Sequence, residues 1–261
     1  MRYNWDMRID VYLVGCGLAK SRAKAQELIE SGLVFVDGKI ISKASTIVTG
    51  EEKIEVKTHD EYVSRGAYKL LGAIDKFALD FGGRVVLDMG ASTGGFTQVA
   101  LNHGAKKVYA VDVGKGQLDK LLREDKRVVS IEEMDVRAID AKELSDVDFI
   151  IGDLSFISLK KVLPHIKNEF GDKEMCLLFK PQFECGQALA KKCRGVIKDE
   201  KVHLRLLKDF CEFIKVLGFS LSGLAVSPIK GGDGNREYLV YLNGKGEAED
   251  IEKVVKDAFS L

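Results

Sequence analysis

The sequence predicts an α/β protein, a Rossmann-like doubly wound domain preceded by a small α+β module. Three observations lead there. Apolar strand-like runs alternate with helical ones from Val85 to Leu242, the pattern of a parallel sheet flanked by helices. The first of these strands enters a glycine-rich turn that opens a helix, Asp88 to about Asn102. Ahead of them, residues 1–60 hold two short helical stripes and an Asp-Gly hairpin signal, too little to bury a core alone.

Within that module, Ile9, Tyr12 and Leu13 recur at helical spacing until Gly15 and Gly17 end the pattern. Ser21 is a natural N-cap for a second helix with the stripe Ala25, Leu28, Ile29, and Gly32 stands where a left-handed C-cap residue belongs. Leu33–Val36, Asp37-Gly38 and Lys39–Ile41 read as a hairpin, and Lys53–Val56 as another strand. The basic residues Arg8, Lys20, Arg22, Lys24 and Lys39 can share one surface, although Glu27, Glu30 and Asp37 lie among them, and charge alone divides evenly between an anion-binding face and a solvated one. The expected organisation is a module at 1–60, a linker at 61–63 and a larger domain at 64–261. In the larger domain Ser64 reads as an N-cap for the stripe Leu70, Leu71, Ile74, Phe77. Strands are expected at Val85–Leu87, Val108–Val111, Phe149–Ile151, Cys176–Phe179, Ser220–Val226 and Tyr238–Leu242, with a last helix from Glu247 to Phe259.

Composition narrows the function classes. With 40 Lys+Arg against 40 Asp+Glu the overall field is weak, so an anionic partner must be met by a local patch. The 46% hydrophobic content suits a packed core and excludes disordered and collagen-like chains. Five cysteines without a C-x-x-C pair, and four scattered histidines, predict a reducing cytoplasm and no metal site. Leu13-Val14-Gly15-Cys16 matches a lipoprotein cleavage box, but Asp6, Asp10 and the brevity of Val11–Val14 argue against a leader. The longest apolar stretch, Phe213–Ile229, is broken by Lys215, serines and glycines, so no membrane span is expected.

Glycines at a strand-to-helix turn let the backbone approach a ligand closely, and the second strand ends in Asp112, placed to grip ribose hydroxyls. The spacing is G-x-x-x-G-G, which disfavours both a dinucleotide turn and a P-loop. The wider run Val85-Val86-Leu87-Asp88-Met89-Gly90-Ala91-Ser92-Thr93-Gly94-Gly95-Phe96-Thr97, followed by Asp112 and by Asp135 in Met134-Asp135-Val136, resembles the FtsJ-like ribose group of S-adenosylmethionine-dependent methyltransferases. The resemblance implies a cofactor site made by Asp88, Gly90, Ser92, Gly94, Gly95 and Phe96, with Gly90 and Gly94 near the methionine part, Asp112 at the ribose and Asp135 near the adenine. For Asp135, a turn residue after a strand is the competing reading.

Methyl transfer to a hydroxyl needs the acceptor oxygen aligned and its proton removed. Lys69 lies in a predicted helix, Asp153 and Lys180 at the ends of strands, and Glu237 at the start of one. Together they match the Lys-Asp-Lys-Glu tetrad of ribose 2′-O-methyltransferases. Asp153-Leu154-Ser155-Phe156 is unlike the Asn/Asp-Pro-Pro-Tyr mark of base N-methylation, and no cysteine stands where a cytosine-C5 nucleophile belongs. In the module, Arg8-Ile9-Asp10, Ala19-Lys20-Ser21-Arg22, Ala25, Leu28-Ile29, Gly32-Leu33-Val34 and Val36-Asp37-Gly38-Lys39 resemble the S4 RNA-binding domain. With Ser64-Arg65-Gly66-Ala67-Tyr68-Lys69 and Lys180-Pro181-Gln182-Phe183-Glu184, nearly the whole chain resembles the shorter form of the TlyA family of rRNA methyltransferases. That resemblance implies 2′-O-methylation of cytidine in ribosomal RNA, the large-subunit site favoured, with ribosomal RNA or a ribosomal subunit as partner. Eight Lys/Arg against three acids between Lys180 and Lys208 make a second basic stretch. From it Lys191, Lys192 and Arg194, with Arg65, are expected to meet RNA phosphates. Two other readings are a membrane-active hemolysin, which needs an amphipathic or spanning segment, and a non-catalytic S4-type RNA-binding protein, disfavoured because all four tetrad positions are filled.

Overall fold

The computed structural model describes residues 6–19, 21–30, 32–41, 43–56 and 62–260. The chain divides into two compact units, Met1–Glu61 with Pro228–Lys230, and Tyr62–Ser227 with Gly231–Leu261.

The smaller unit contains β1 (Met7–Arg8), α1 (Ile9–Gly15), α2 (Arg22–Glu30), β2 (Val34–Val36), β3 (Lys39–Ile40), β4 (Ile47–Val48) and β5 (Ile54–Val56). Ile9, Leu13, Ala25, Ile29 and Leu33 are among its buried residues, which is why the two helical stripes face each other. Ser21 Oγ accepts the Lys24 N–H at 3.2 Å, the expected cap. Gly32 takes φ +71°, and the Leu33 N–H closes onto the Leu28 carbonyl, ending α2. Asp37 and Gly38 both have positive φ, as a two-residue hairpin between β2 and β3 requires. The pairing of β1 with β4 was not expected, because two-residue strands show no alternation to read.

The larger unit contains α3 (Gly66–Phe77), β6 (Val85–Met89), α4 (Gly95–Asn102), β7 (Lys107–Val111), α5 (Lys120–Arg123), β8 (Val128–Ile131), β9 (Phe149–Gly152), α6 (Leu159–Phe170), β10 (Glu174–Phe179), α7 (Pro181–Glu184), α8 (Gln187–Lys192), α9 (Glu200–Val216), β11 (Leu221–Val226), β12 (Tyr238–Leu242) and α10 (Ile251–Ser260). One sheet runs in the order β11-β12-β10-β9-β6-β7-β8, with β12 alone reversed. Alternate strand residues feed two cores. Leu87, Met89, Val111 and Leu177 pack with α6, α9 and α10 on one face, whereas Val86, Val108, Ala110, Ile151 and Leu178 pack with α3 and α4 on the other. Strand order reverses between β6 and β9, so the crevice where such sheets take ligands opens at Gly90 and Asp153.

Three expectations are corrected. Ser64 does not cap α3: the helix begins at Gly66 behind Arg65 without a side-chain cap, and a Cβ on Gly95 would lie 2.2 Å from Ser64 Oγ, so that hydroxyl is packed against the glycine turn instead. Tyr62 and Val63, read as linker, pack on the larger core, with the Val63 N–H donating to Gln98 Oε1 at 2.7 Å. The last helix starts at Ile251, four residues later than Glu247.

Candidate active site

The turn after β6 is shaped by contacts that only glycine tolerates. Gly94 takes φ +99°, and a Cβ there would sit 2.2 Å from Leu122 Cδ1. A Cβ on Gly95 would also press on the Ala67 backbone at 2.9 Å, so the starts of α3 and α4 approach more closely than any side chain permits. Gly90 at φ +79° lies against Leu154 and the Asp153 carbonyl. Ser92, next in the turn, has φ +49°, and Phe96 is buried on α4.

Beneath the turn Asp88 is fully buried; Thr97 Oγ1 donates to its Oδ2 at 2.6 Å, while Oδ1 has no partner. Burial pushes its carboxyl up to about 7 against the pull of the Thr97 hydrogen bonds. Asp112, just past β7, accepts the Ser92 N–H at 2.8 Å and the Gly114 N–H at 2.7 Å, which ties the turn to the neighbouring strand end. Asp135 follows β8 and accepts the Arg137 N–H at 2.9 Å, and its carboxylate is paired with the Arg137 guanidinium at 2.6 Å. The competing reading of Asp135 as a turn residue is thus realised, and any ligand contact must share it with Arg137.

Four side chains from distant positions meet at the same edge. Asp153 follows β9 and Lys180 follows β10, both at carboxyl ends. Glu237 comes just before β12, and because that strand is reversed its beginning lies where the parallel strands end, Tyr238 opposite Phe179. Lys69 reaches in from the first turn of α3. The charges alternate along a line: Lys180 Nζ is 2.6 Å from Asp153 Oδ1, Lys69 Nζ is 3.2 Å from Asp153 Oδ2, and Lys69 Nζ is 2.8 Å from Glu237 Oε2. Lys69, Lys180 and Glu237 are buried. Burial works against the Lys69 ammonium, but Asp153 and Glu237 outweigh it and hold Lys69 above the ordinary lysine range. Burial likewise works against the Asp153 carboxylate, and the two lysines outweigh it, holding Asp153 below the ordinary range. A Cβ on Gly231 would lie 2.5 Å from Glu237 Oε1, so a side chain there would displace the carboxylate that the loop ahead of β12 folds over.

Sequence reasoning took in the residues around Lys180 only as parts of motifs and gave them no role of their own. Its ammonium also donates to Ser155 Oγ at 2.8 Å and lies 5.7 Å from the centre of the Phe183 ring. Phe183 in turn packs on Phe156 at 5.3 Å between centroids. Phe156 is 92% exposed and has φ +64°, a conformation a bulky L-residue takes only when its surroundings impose it. An exposed apolar ring beside a buried charge line has no pattern in the sequence.

The basic residues are more dispersed than their spacing suggested. Arg8 Nε and Arg22 Nη2 each bond the buried carboxylate of Asp10 at 3.0 Å, and Gln26 Nε2 adds a third contact at 3.1 Å. Both arginines are thereby structural as well as partly exposed. Lys24 is half-buried on α2 and Lys39 exposed on β3, while Lys20 lies outside the described residues. In the larger unit Arg65 is half-buried ahead of α3, and Lys191, Lys192 and Arg194 are exposed at the end of α8.

Residues 62–244 match the FtsJ-like methyltransferase family model, and residues 7–54 match the S4 domain. The chain belongs to the FtsJ-like methyltransferase family. Among FtsJ-like relatives it is 41% identical to the 16S/23S rRNA (cytidine-2'-O)-methyltransferase TlyA of Mycobacterium tuberculosis, over 96% of this chain and 95% of that one. It is 36% identical to the 23S rRNA (cytidine-2'-O)-methyltransferase TlyA of Campylobacter jejuni, over 90% and 98% of the two chains. It is also 43% identical to Hemolysin A of Brachyspira hyodysenteriae, over 90% and 99%. A solved structure from Streptococcus thermophilus that carries a hemolysin name superimposes with a TM-score of 0.72 at 35% identity, covering 99% of this chain and 97% of that one. Relatives with hemolysin and methyltransferase names thus share one architecture with this FtsJ-like chain. Among its described residues no helix is long and apolar enough to cross a membrane.

Proposed function

We propose that this protein transfers the methyl group of S-adenosylmethionine to the ribose 2′-hydroxyl of a cytidine in ribosomal RNA, with large-subunit RNA the favoured target. The observation that carries the reading is the alternating line Lys180–Asp153–Lys69–Glu237 beside the glycine cradle. The relatives named for rRNA cytidine 2′-O-methylation support the substrate class, and 23S rRNA is common to both names.

The cradle suits the cofactor. Its glycines fold the turn tightly against Leu122, Ser64 and Ala67, which leaves Ser92 and Thr93 exposed at its tip, and Asp112 at the strand end offers carboxylate oxygens to ribose hydroxyls. Asp135, shared with Arg137, would be the residue to meet the adenine. When bound there, S-adenosylmethionine supplies an electrophilic methyl group on a sulfonium.

The chain's own residues handle the acceptor. Lys69, gripped by Asp153 and Glu237, stays charged and helps keep Asp153 ionised; ionised Asp153 in turn aims the Lys180 ammonium. Two of the Lys180 hydrogens point to Asp153 and Ser155, and the third is available to orient the 2′-oxygen for in-line attack. An ammonium has no lone pair, so Lys180 first yields a proton to Asp153; the amine so freed takes the hydroxyl proton as the new O–C bond forms, and Asp153, with 18% side-chain exposure, passes its proton to solvent. Phe156 and Phe183 offer a stacking surface for a base turned out of its helix, as single-stranded recognition requires.

The test is transfer of labelled methyl groups from S-adenosylmethionine to ribosomal RNA by the full-length protein, followed by alkaline hydrolysis. A 2′-O-methyl group removes the internal nucleophile, so label is expected in alkali-resistant dinucleotides that begin with cytidine. Label on a base, or no transfer to RNA at all, refutes the reading.

A further inference from the structure

The loop carrying Asp153, Ser155 and Phe156 runs between the end of β9 and the start of α6, and nothing in the tetrad explains what holds its far end. Glu184 does. Its Oε1 accepts the Leu159 N–H at 2.7 Å and its Oε2 accepts the Ser158 hydroxyl at 2.5 Å. Ser158 is the N-cap of α6, its Oγ accepting the Lys160 N–H at 3.1 Å, so one carboxylate clips the first turn of α6 to the last residue of α7. The two clipped segments are those that carry Phe156 and Phe183, and Phe183 is the immediate neighbour of Glu184. Lys180 bonds Ser155 from the other side, so the loop is held at both ends with Phe156 between, in its left-handed conformation and exposed to solvent.

We propose that Glu184 is a positioning residue which fixes the spacing of the two aromatic loops relative to Lys180, and so governs how the target nucleotide is seated without contributing to cofactor binding. Among the described residues its hydrogen-bond partners are Ser158 and Leu159, and no residue of the glycine turn is one of them. The inference rests on the reading that RNA is methylated at this edge. Releasing the clip lets the 153–158 loop relax, which moves Phe156 and Ser155 away from the place where a base and its ribose must sit.

The test is single-turnover methyl transfer with ribosomal RNA titrated at saturating S-adenosylmethionine, for wild type, Glu184→Ala, Glu184→Gln and Ser158→Ala, with calorimetric cofactor affinity and circular dichroism alongside. Misplacement by about an ångström costs on the order of 10²-fold. Glu184→Ala is therefore expected to raise the half-saturating RNA concentration and to slow transfer by roughly ten- to a hundredfold, with cofactor affinity unchanged. Glu184→Gln is expected to recover most of the loss, because its carbonyl still accepts the Leu159 N–H and its amide can donate to a rotated Ser158 hydroxyl. Ser158→Ala is expected to show a smaller defect of the same kind. A folded Glu184→Ala protein with wild-type rate and RNA dependence overturns the proposal, as does a Glu184→Gln variant as defective as Glu184→Ala. Should Glu184→Ala fail to fold, wild-type kinetics in Ser158→Ala overturn it equally. Wild-type protein that methylates no RNA refutes the functional reading and this inference with it, whereas active wild type with an indifferent clip removes only the clip.

Discussion

Lys180 shows how one side chain is specified by its neighbours. Its ammonium has a carboxylate on one side, a hydroxyl on another and an aromatic ring nearby, so replacing it removes the donor while leaving a cavity lined by polar groups. Lys180→Ala is expected to slow single-turnover methyl transfer by roughly 10²- to 10⁴-fold with cofactor affinity nearly intact, since general acid–base groups contribute about that much. Transfer at the wild-type rate would take Lys180 out of the chemistry. Asp88 makes a prediction in pH. Its carboxyl rises from 3.8 to about 7 on folding, so folded protein keeps a proton that unfolded chain has lost. That contribution is full below 3.8, falls as pH rises to about 7 and is gone above it. Asp88→Asn has no such proton to lose, and its melting temperature is expected to fall less than wild type between pH 5 and 8 by calorimetry. At this scale the sequence was partly legible. Lys69, Asp153, Lys180 and Glu237 were found because their motifs resemble a known tetrad, not because spacing revealed that they touch. Ser155, Phe156 and Glu184 were missed because their roles depend on which loops the sheet brings together.

Among the elements, those with strong local signals came through: the Ser21 cap, the Asp37-Gly38 hairpin, the glycine turn opening α4 and the central strands of continuous apolar residues. The strand β8 did not, since Val129 and Ser130 on this sheet edge are exposed and Val128 only half-buried, leaving neither a continuous run nor a clean alternation. In the smaller unit, Asp10 was read as part of a motif and proves to be its polar pivot, buried on α1 and drawing in Arg8, Arg22 and Gln26. The Arg8 hydrogen bond leads in holding the Asp10 carboxyl well below its ordinary range, offsetting the cost of desolvation. Asp10 therefore stabilises the fold above the usual carboxylate pKa, and that support is lost as pH falls below it. Asp10→Ala strands Gln26 and two guanidinium groups, so a loss of about 1–3 kcal/mol is expected, read from urea unfolding at neutral pH. A variant with the wild-type midpoint would show that the pivot is dispensable.

For the whole molecule, balanced charge hides an uneven distribution: Lys39 stands exposed on the smaller unit, and Lys191, Lys192 and Arg194 on the larger. If both surfaces meet phosphates, Lys39→Ala and the pair Lys191→Ala/Lys192→Ala should each weaken RNA binding and flatten its salt dependence by about one unit per lost contact. Filter binding from low to moderate salt checks this, and an unchanged slope discards the surface concerned. The reversed strand β12 has a consequence of another kind. It is the last strand among the described residues, yet it lies inside the sheet, between β10 and β11, and no other described strand pairs with β11. The pairing of β12 with β10 and β11 carries Glu237 to the edge where the parallel strands end. Lys69 therefore keeps its second carboxylate only while these strands stay paired. The register of this pairing thus sets the far end of the charge line: a slip of β12 by one residue would turn Glu237 to the opposite face of the sheet and leave Lys69 with Asp153 alone.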